Sequence, residues 1–295
     1  MDKTGEMPEP HIPNDDGTAP LPRGDTGDTA VAHVAEIWRY PVKSMQGERL
    51  GAARVTHHGI DGDRAYALRD VESGKVLSAK RWGRLLEGAA RLVEGRPAIT
   101  LPGGNELAWG DPGTDAALSE WFGRPVQLVR ADPSSPATYQ LNVDPLDPHS
   151  AILDIQCPPD TFHDAAATHL VTTASLAAAR SLLPSSAWDV RRFRPVIVLE
   201  VPGAAFVEDG WIGPDLRIGE ALLSPFSPTV RCAMPARAQP ARAQSAHDGG
   251  SQAIARDKAI IRALADHHNT SLGIYASVKE PGRISVGDAA ELVFS

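Results

Sequence analysis

Cysteine is scarce in this chain: 295 residues contain two, Cys157 and Cys232. Two thiols build no disulfide framework, and free thiols persist in a reducing compartment, so a cytoplasmic protein is expected. No stretch approaches the roughly 20 apolar residues of a membrane-spanning helix, which excludes that class of membrane protein. The opening "MDKTGEMPEPHIPNDDGTAP" is acidic and has no hydrophobic run, unlike a secretory leader. A basic excess is missing too. The 29 Lys and Arg stand against 37 Asp and Glu for a net charge of −8, of which −5 lies in residues 1–30. That balance offers nucleic acid no footprint. Walker loops, dinucleotide fingerprints and G-x-S-x-G elbows are absent as well.

What is present is a foldable chain, 42% hydrophobic, whose core-forming segments begin near residue 31. Residues 1–30, rich in Pro, Gly, Asp and Thr, read as a disordered acidic tail. In "VAHVAEIWRYPVKSM", Val34, Ile37 and Trp38 start a strand that Pro41 stops. "DRAYALRDVESGKVLSAK" reads as two strands about a turn at Glu72-Ser73-Gly74. "DAALSEWFG" predicts a short helix closed by Gly123. A Pro- and Asp-rich stretch over 131–165 marks a domain junction. Beyond it, "THLVTTASLAAARSLL" runs from strand to helix with Thr173 or Ser175 as the cap. "RRFRPVIVLEV" reads as a buried strand and 233–253 as loop. In "ARDKAIIRALADHH", Ile260, Ile261 and Leu264 recur at helical spacing. Many short strands and few helices predict a mainly β fold with some α, organised as two barrel-like domains.

Four groups of side chains invite chemistry. Cys232 follows Arg231, and a neighbouring guanidinium favours thiolate, the nucleophilic and metal-binding form; a small buried hydrophobe is the competing reading. Lys43, Arg64, Arg192 and Arg194 stand at strand edges and would form an anion site if they converged. Ordinary pairing with Asp61, Asp63 or Glu200 is the alternative. Thr172, Thr173 and Ser175 stand where free N–H groups of a helix start suit phosphate, or else simply cap the helix. The pairs His57-His58 and His267-His268 have no further ligands at zinc-like spacing and fit exposed or capping positions.

Together, "IWRYPVKSMQGERL", "GIDGDRAYALRD", "HLVTTASLAAA", "RRFRPVIVLE", "FVEDGWIGPDLRIGEALLSPFSPTVRC" and "LGIYASVKEPGRISVGDAAELVF" resemble the MOSC family, named for the C-terminal domain of molybdenum-cofactor sulfurase. The resemblance spans residues 31–295. It implies a MOSC N-terminal β-barrel domain over 31–130 and a MOSC domain over 131–295, with a cleft between them that holds a molybdenum cofactor (molybdopterin). It further implies that Cys232 ligates molybdenum, a soft metal suited to thiolate. Lys43, Ser44, Arg64, Thr173, Ala174, Ser175 and Arg194 would contact the cofactor, and Asp209 would stand near the metal with a catalytic role in proton delivery.

The nearest activity implied is that of the mitochondrial amidoxime-reducing component: reduction of N-hydroxylated or similar N-oxygenated small molecules, with electrons from a separate donor protein. No ferredoxin-type cysteine run supplies an iron–sulfur cluster in cis. Two alternatives come from other classes. One is a sulfur carrier holding a persulfide on Cys232 and served by a sulfur donor; the other is a non-catalytic cofactor-binding protein. Two departures bear on the choice. Val196 stands where related reductases have Asn after "RFRP", and Thr229 and "AMPARAQ" replace the family's first cysteine and threonine pair around Cys232.

Overall fold

The computed structural model describes residues 30–144, 147, 149–241 and 251–294. The acidic tail, apart from Ala30, and residues 242–250 of the expected loop lie outside them. In chain order the first part contains β1 (Ala30–Arg39), β2 (Glu48–Leu50), β3 (Ala52–Thr56), β4 (Gly59–Ile60), β5 (Tyr66–Asp70), β6 (Ala89–Val93), β7 (Arg96–Thr100), β8 (Glu106–Ala108), α1 (Thr114–Phe122), β9 (Val126–Arg130), β10 (Thr138–Asn142) and β11 (Ile152–Gln156). The second contains β12 (Thr168–Thr172), α2 (Thr173–Leu182), β13 (Ile197–Glu200), β14 (Asp215–Ile218), β15 (Ala221–Val230), α3 (Ala259–His268), β16 (Ser271–Glu280), β17 (Gly282–Ser285) and β18 (Ala289–Val293).

The fold is mainly β, and its centre is a closed barrel of seven strands. They run in the order β13-β12-β16-β15-β14-β18-β1, and β1 pairs back onto β13. Ile37, Leu170, Leu199, Leu216, Leu223 and Ile274 fill its interior and expose no surface. A one-residue register shift between Val34 and Glu36 lets Val34 and Ile37, three apart, face the same core, which strict alternation would forbid. Trp38 then points outward, into a cluster with Tyr40, Trp188, Phe193, Ile260 and Leu264 that seats α2 and α3 on the barrel.

β1 is the first core strand in the chain, yet it closes a barrel built otherwise from residues after 167. β17 likewise returns to pair with β3. In the other direction, β10 and β11 lie with the earlier strands: Val76 bridges to Tyr139, and Ala67, Val76, Tyr139, Cys157 and Phe162 share one core. Tertiary pairing therefore crosses residue 130 both ways. The remaining small sheets, β6-β7-β8 and β5-β9, enclose a separate core around Leu68, Leu85, Ile99 and Leu118.

Local signals mostly hold. α1 ends at Gly123, whose φ of 82° suits glycine and whose N–H returns to Ser119 O at 2.8 Å. α3 buries Ile260, Ile261 and Leu264 as their spacing predicts. The cap of α2 is Thr172, not Thr173 or Ser175; its Oγ1 accepts from Ser175 N at 3.1 Å. The expected second strand after Gly74 reduces to isolated bridges at Val76. "SPFSP" lies inside the ten-residue strand β15, with register shifts at Pro225/Ser227 and Pro228/Val230. Proline is tolerated there because β14 pairs only with Ala221–Leu223, leaving the far half of β15 an edge. That free half, held by β16, carries the chain to Cys232.

Candidate active site

A cleft of about 460 Å³ lies against the barrel. Lys43, Ser44, Arg64, Arg194 and Cys232, five of the residues singled out in the sequence, all line it. Pro41 ends the run after β1, and the turn is pinned by Lys43 N to Tyr66 O at 2.7 Å and Arg64 N to Tyr40 O at 2.8 Å. Ser44 Oγ accepts from Ala79 N at 2.9 Å. Three of the five hold left-handed backbone: φ is 68° at Ser44, 48° at Arg64 and 56° at Arg194. Side chains with a Cβ adopt that region at a cost, and such strain gathers where geometry serves a site.

Asp164 organises the cations. Its carboxylate lies 2.5 Å from Lys43 Nζ and 3.0 Å from Lys80 Nζ. Lys43 also donates to Phe162 O at 2.7 Å, and both ammonium groups stand over the Tyr139 ring, at 4.3 and 4.8 Å. Burial would raise the Asp164 pKa, but Lys43 and Lys80 outweigh it and hold the group well below the usual carboxylate range. Arg64 pairs with buried Asp63 and donates to Arg194 O at 3.2 Å. Arg64 and Arg194 both stack on Tyr40, at 4.5 and 4.0 Å.

Several donors are left over. Arg194 spends Nη1 on Met45 O at 2.6 Å, while its buried Nη2 has no partner among the described residues. Burial, then the neighbouring Arg64, bring its pKa down to about 10. Arg231 donates Nη2 to Phe193 O at 2.6 Å, and its Nε is likewise buried and unpaired. His163 Nε2, buried and 3.7 Å from Asp63, is too far for a hydrogen bond, and burial lowers the pKa of the ring to about 4. His169 is pushed down by burial and by Arg231. Cys232 is half-buried at the end of this wall, and Lys80, Arg231 and Arg237 are the cations that interact with it. Orphaned buried N–H groups are costly, and among the described residues Asp63 and Asp164 are the carboxylates that oppose Lys43, Arg64, Lys80, Arg194 and Arg231, so the cleft wall carries an excess of positive charge.

Residues 159–291 match the MOSC domain, and residues 31–119 match the MOSC N-terminal beta barrel domain. The chain belongs to the MOSC family. MOSC domains are associated with proteins that bind the molybdenum cofactor. No curated protein matches this MOSC chain. Among solved structures, the YUAD protein of Bacillus subtilis is 12% identical over 90% of this chain and 97% of that one, with a TM-score of 0.45. A hypothetical protein is also 12% identical, over 90% and 69%, with a TM-score of 0.39.

Other expected members of the MOSC site lie elsewhere. Thr173, Ala174 and Ser175 do not line the cleft. β12 reaches the cleft at His169, and Thr172 is three residues further along, about 10 Å at the strand rise. There Thr172 Oγ1 and Ser175 Oγ both meet buried Glu208 Oε2, at 2.8 and 2.5 Å, so these hydroxyls are already satisfied. Asp209 is not at the cleft either; it pairs with His268 Nε2 at 2.8 Å, and His268 stacks on Phe206. Arg192 touches the cleft wall, but its guanidinium is spent on four carbonyls: Ala187, Pro235, Arg237 and Ala255. It clamps the segment after Cys232 instead of binding an anion, so part of the expected loop is a packed turn with Met234, Pro235 and Ala236 buried.

Lys80, Asp164, His163, Tyr139 and Tyr275 line the MOSC cleft and carry no recognisable motif. Val196 is 1% exposed, its N–H bound to His169 O at 2.9 Å, and it turns an apolar face to the cleft. Cys157 is buried behind the cleft wall, packed in one core with Tyr139 and Phe162, and burial raises its pKa, which fits a packing role. His58 lies 3.5 Å from Asp160 at the surface.

Proposed function

We propose that this protein binds a molybdenum–pterin cofactor in the cleft and reduces small N-oxygenated molecules with electrons from a separate donor protein. The observation that carries the reading is the meeting of Cys232 with a cation-rich wall whose buried Arg194 Nη2 and Arg231 Nε have no acceptor among the described residues. A soft thiolate beside unmet N–H donors suits a ligand that is a thiophilic metal at one end and anionic at the other. At 460 Å³ the cleft lies within the range of cofactor and small-molecule pockets.

In this reading Cys232 ligates the metal. Lys43, Arg64 and Arg194 neutralise and orient the cofactor, and the Ser44 turn sets Lys43 in place. When bound, the cofactor supplies two-electron oxygen-atom chemistry; the chain itself supplies charge, orientation and protons. Asp164, held ionised, accepts and does not donate. Tyr139 and Tyr275 stay protonated because burial raises both, Tyr139 to about 12. Their hydroxyls, with water, take the proton-donating role first given to Asp209. Val196 contributes shape in place of an amide contact. Two cysteines are too few for a four-cysteine iron–sulfur cluster within these 295 residues, which supports a separate electron donor. Cofactor-loaded protein should oxidise a chemical electron donor when given a hydroxylamine-type substrate. A loaded preparation inert to such substrates overturns the reductase assignment.

The half-exposed thiol among Lys80, Arg231 and Arg237 also favours a second reading, in which Cys232 carries a persulfide handed on from a sulfur donor. Mass spectrometry after incubation with a desulfurase separates the two: an added sulfur on Cys232 supports the carrier, an unmodified thiol removes it. Tight cofactor binding without turnover from any donor would identify a non-catalytic binding protein.

A further inference from the structure

Lys80 lines a second cavity, of about 290 Å³, whose other walls include Arg81, Trp82, Arg237, Arg256 and Lys258. We propose that this cavity is a separate binding site for a small oxyanion, a phosphate or carboxylate group. Residues of one turn divide between the two spaces: Cys232 and Met234 face the cleft, Ala233 and Ala236 the cavity. A ligand seated there would lie directly behind the chain that presents Cys232.

Charge is the first argument. None of Arg81, Arg237, Arg256 and Lys258 forms an ion pair with a described carboxylate. The acid on the wall is Asp147, whose Oδ1 accepts from His149 N at 2.8 Å. Four cations without a carboxylate partner among the described residues repel one another around one concavity, and a protein of net charge −8 has no general reason to gather them.

Geometry is the second. Arg81 Nη1 is held by the neutral Gln140 Oε1 at 2.5 Å, and Arg237 Nη2 by Lys80 O at 2.6 Å. These bonds aim the guanidinium groups without neutralising them. Arg237 Nε is buried with no partner among the described residues, an N–H that an acceptor in the cavity would satisfy. Burial and the charge of Arg256 both lower the Arg237 pKa, as expected of a cation lacking its counter-ion. The volume suits one phosphate or a short dicarboxylate, not a whole pterin cofactor.

The test uses full-length, cofactor-free protein and does not depend on the function proposed above. Inorganic phosphate and malonate are titrated separately by calorimetry into wild type, Arg256→Ala/Lys258→Ala and Lys43→Ala. Arg256 and Lys258 are exposed and form no ion pair among the described residues, so thermal melting should show the double variant fully folded. Expected is a saturable component in wild type that weakens at least about tenfold in the double variant, the loss of about 1.4 kcal/mol of charge-assisted contact, and persists in Lys43→Ala. Which anion shows it assigns the site to phosphate or carboxylate. Absence of saturable binding in wild type, or a double variant that binds as wild type does, overturns the proposal.

Discussion

At the scale of single residues, Asp164 and His163 make the cleft sensitive to acid. Burial, partly offset by Asp63, keeps His163 neutral down to about pH 4, whereas an unfolded histidine takes a proton near pH 6.5. Between those values the unfolded chain binds more protons, so stability is full above about pH 6.5 and falls as pH drops towards 4. His169, also lowered, acts in the same direction. Melting temperature measured from pH 7 to 4 should therefore decline, and His163→Gln should flatten the decline; an identical slope in the variant contradicts it. Asp164 adds stability that is present above its unfolded pKa, near 4, and lost only at lower pH as its depressed folded pKa is reached. Lys43, Ser44, Arg64, Arg194 and Cys232 were legible because each stands in a recognisable local motif. Asp164 and Lys80 were not, since Asp164 meets Lys43 across 121 residues and only the closed fold brings them together.

At the scale of elements, neighbouring motifs misled where they met opposite ends of one strand. "HLVTTAS" contains both the cleft-facing His169 and the Thr172–Ser175–Glu208 knot, and nothing local tells which end faces the ligand. Thr172→Val removes the cap of α2 and a partner of buried Glu208, and should cost about 1–2 kcal/mol. Melting should fall by several degrees while bound molybdenum stays at the wild-type level. A selective loss of metal would return this segment to the site. Arg192→Met unfastens four carbonyls and should raise amide exchange over residues 233–240, read by mass spectrometry; unchanged protection would deny the clamp. Helix ends such as Gly123 were legible from local chemistry. The continuity of β15 through two prolines was not, because whether its edge is free depends on how far β14 extends.

At the scale of the whole molecule, the order of strands in space departs from their order in the chain. The mainly β composition was legible from short alternating runs and turn signals, while the cleft was legible only through the family resemblance. That β1 closes the barrel was not, since pairing at such separation leaves no local trace. A fragment of residues 131–295 lacks β1 and leaves β13 and β18 with bare edges, so it should fail to give a cooperative melt. A fragment that folds alone would contradict the closure. The central claim is that Cys232 holds molybdenum in this cleft. It is tested most directly by elemental analysis for molybdenum, with pterin measured by fluorescence after oxidation. Wild type and Cys232→Ala would be purified from a host that makes the cofactor. The expected result is near-stoichiometric metal and pterin in wild type with metal strongly reduced in the variant at unchanged melting temperature. Folded wild type containing neither would contradict it.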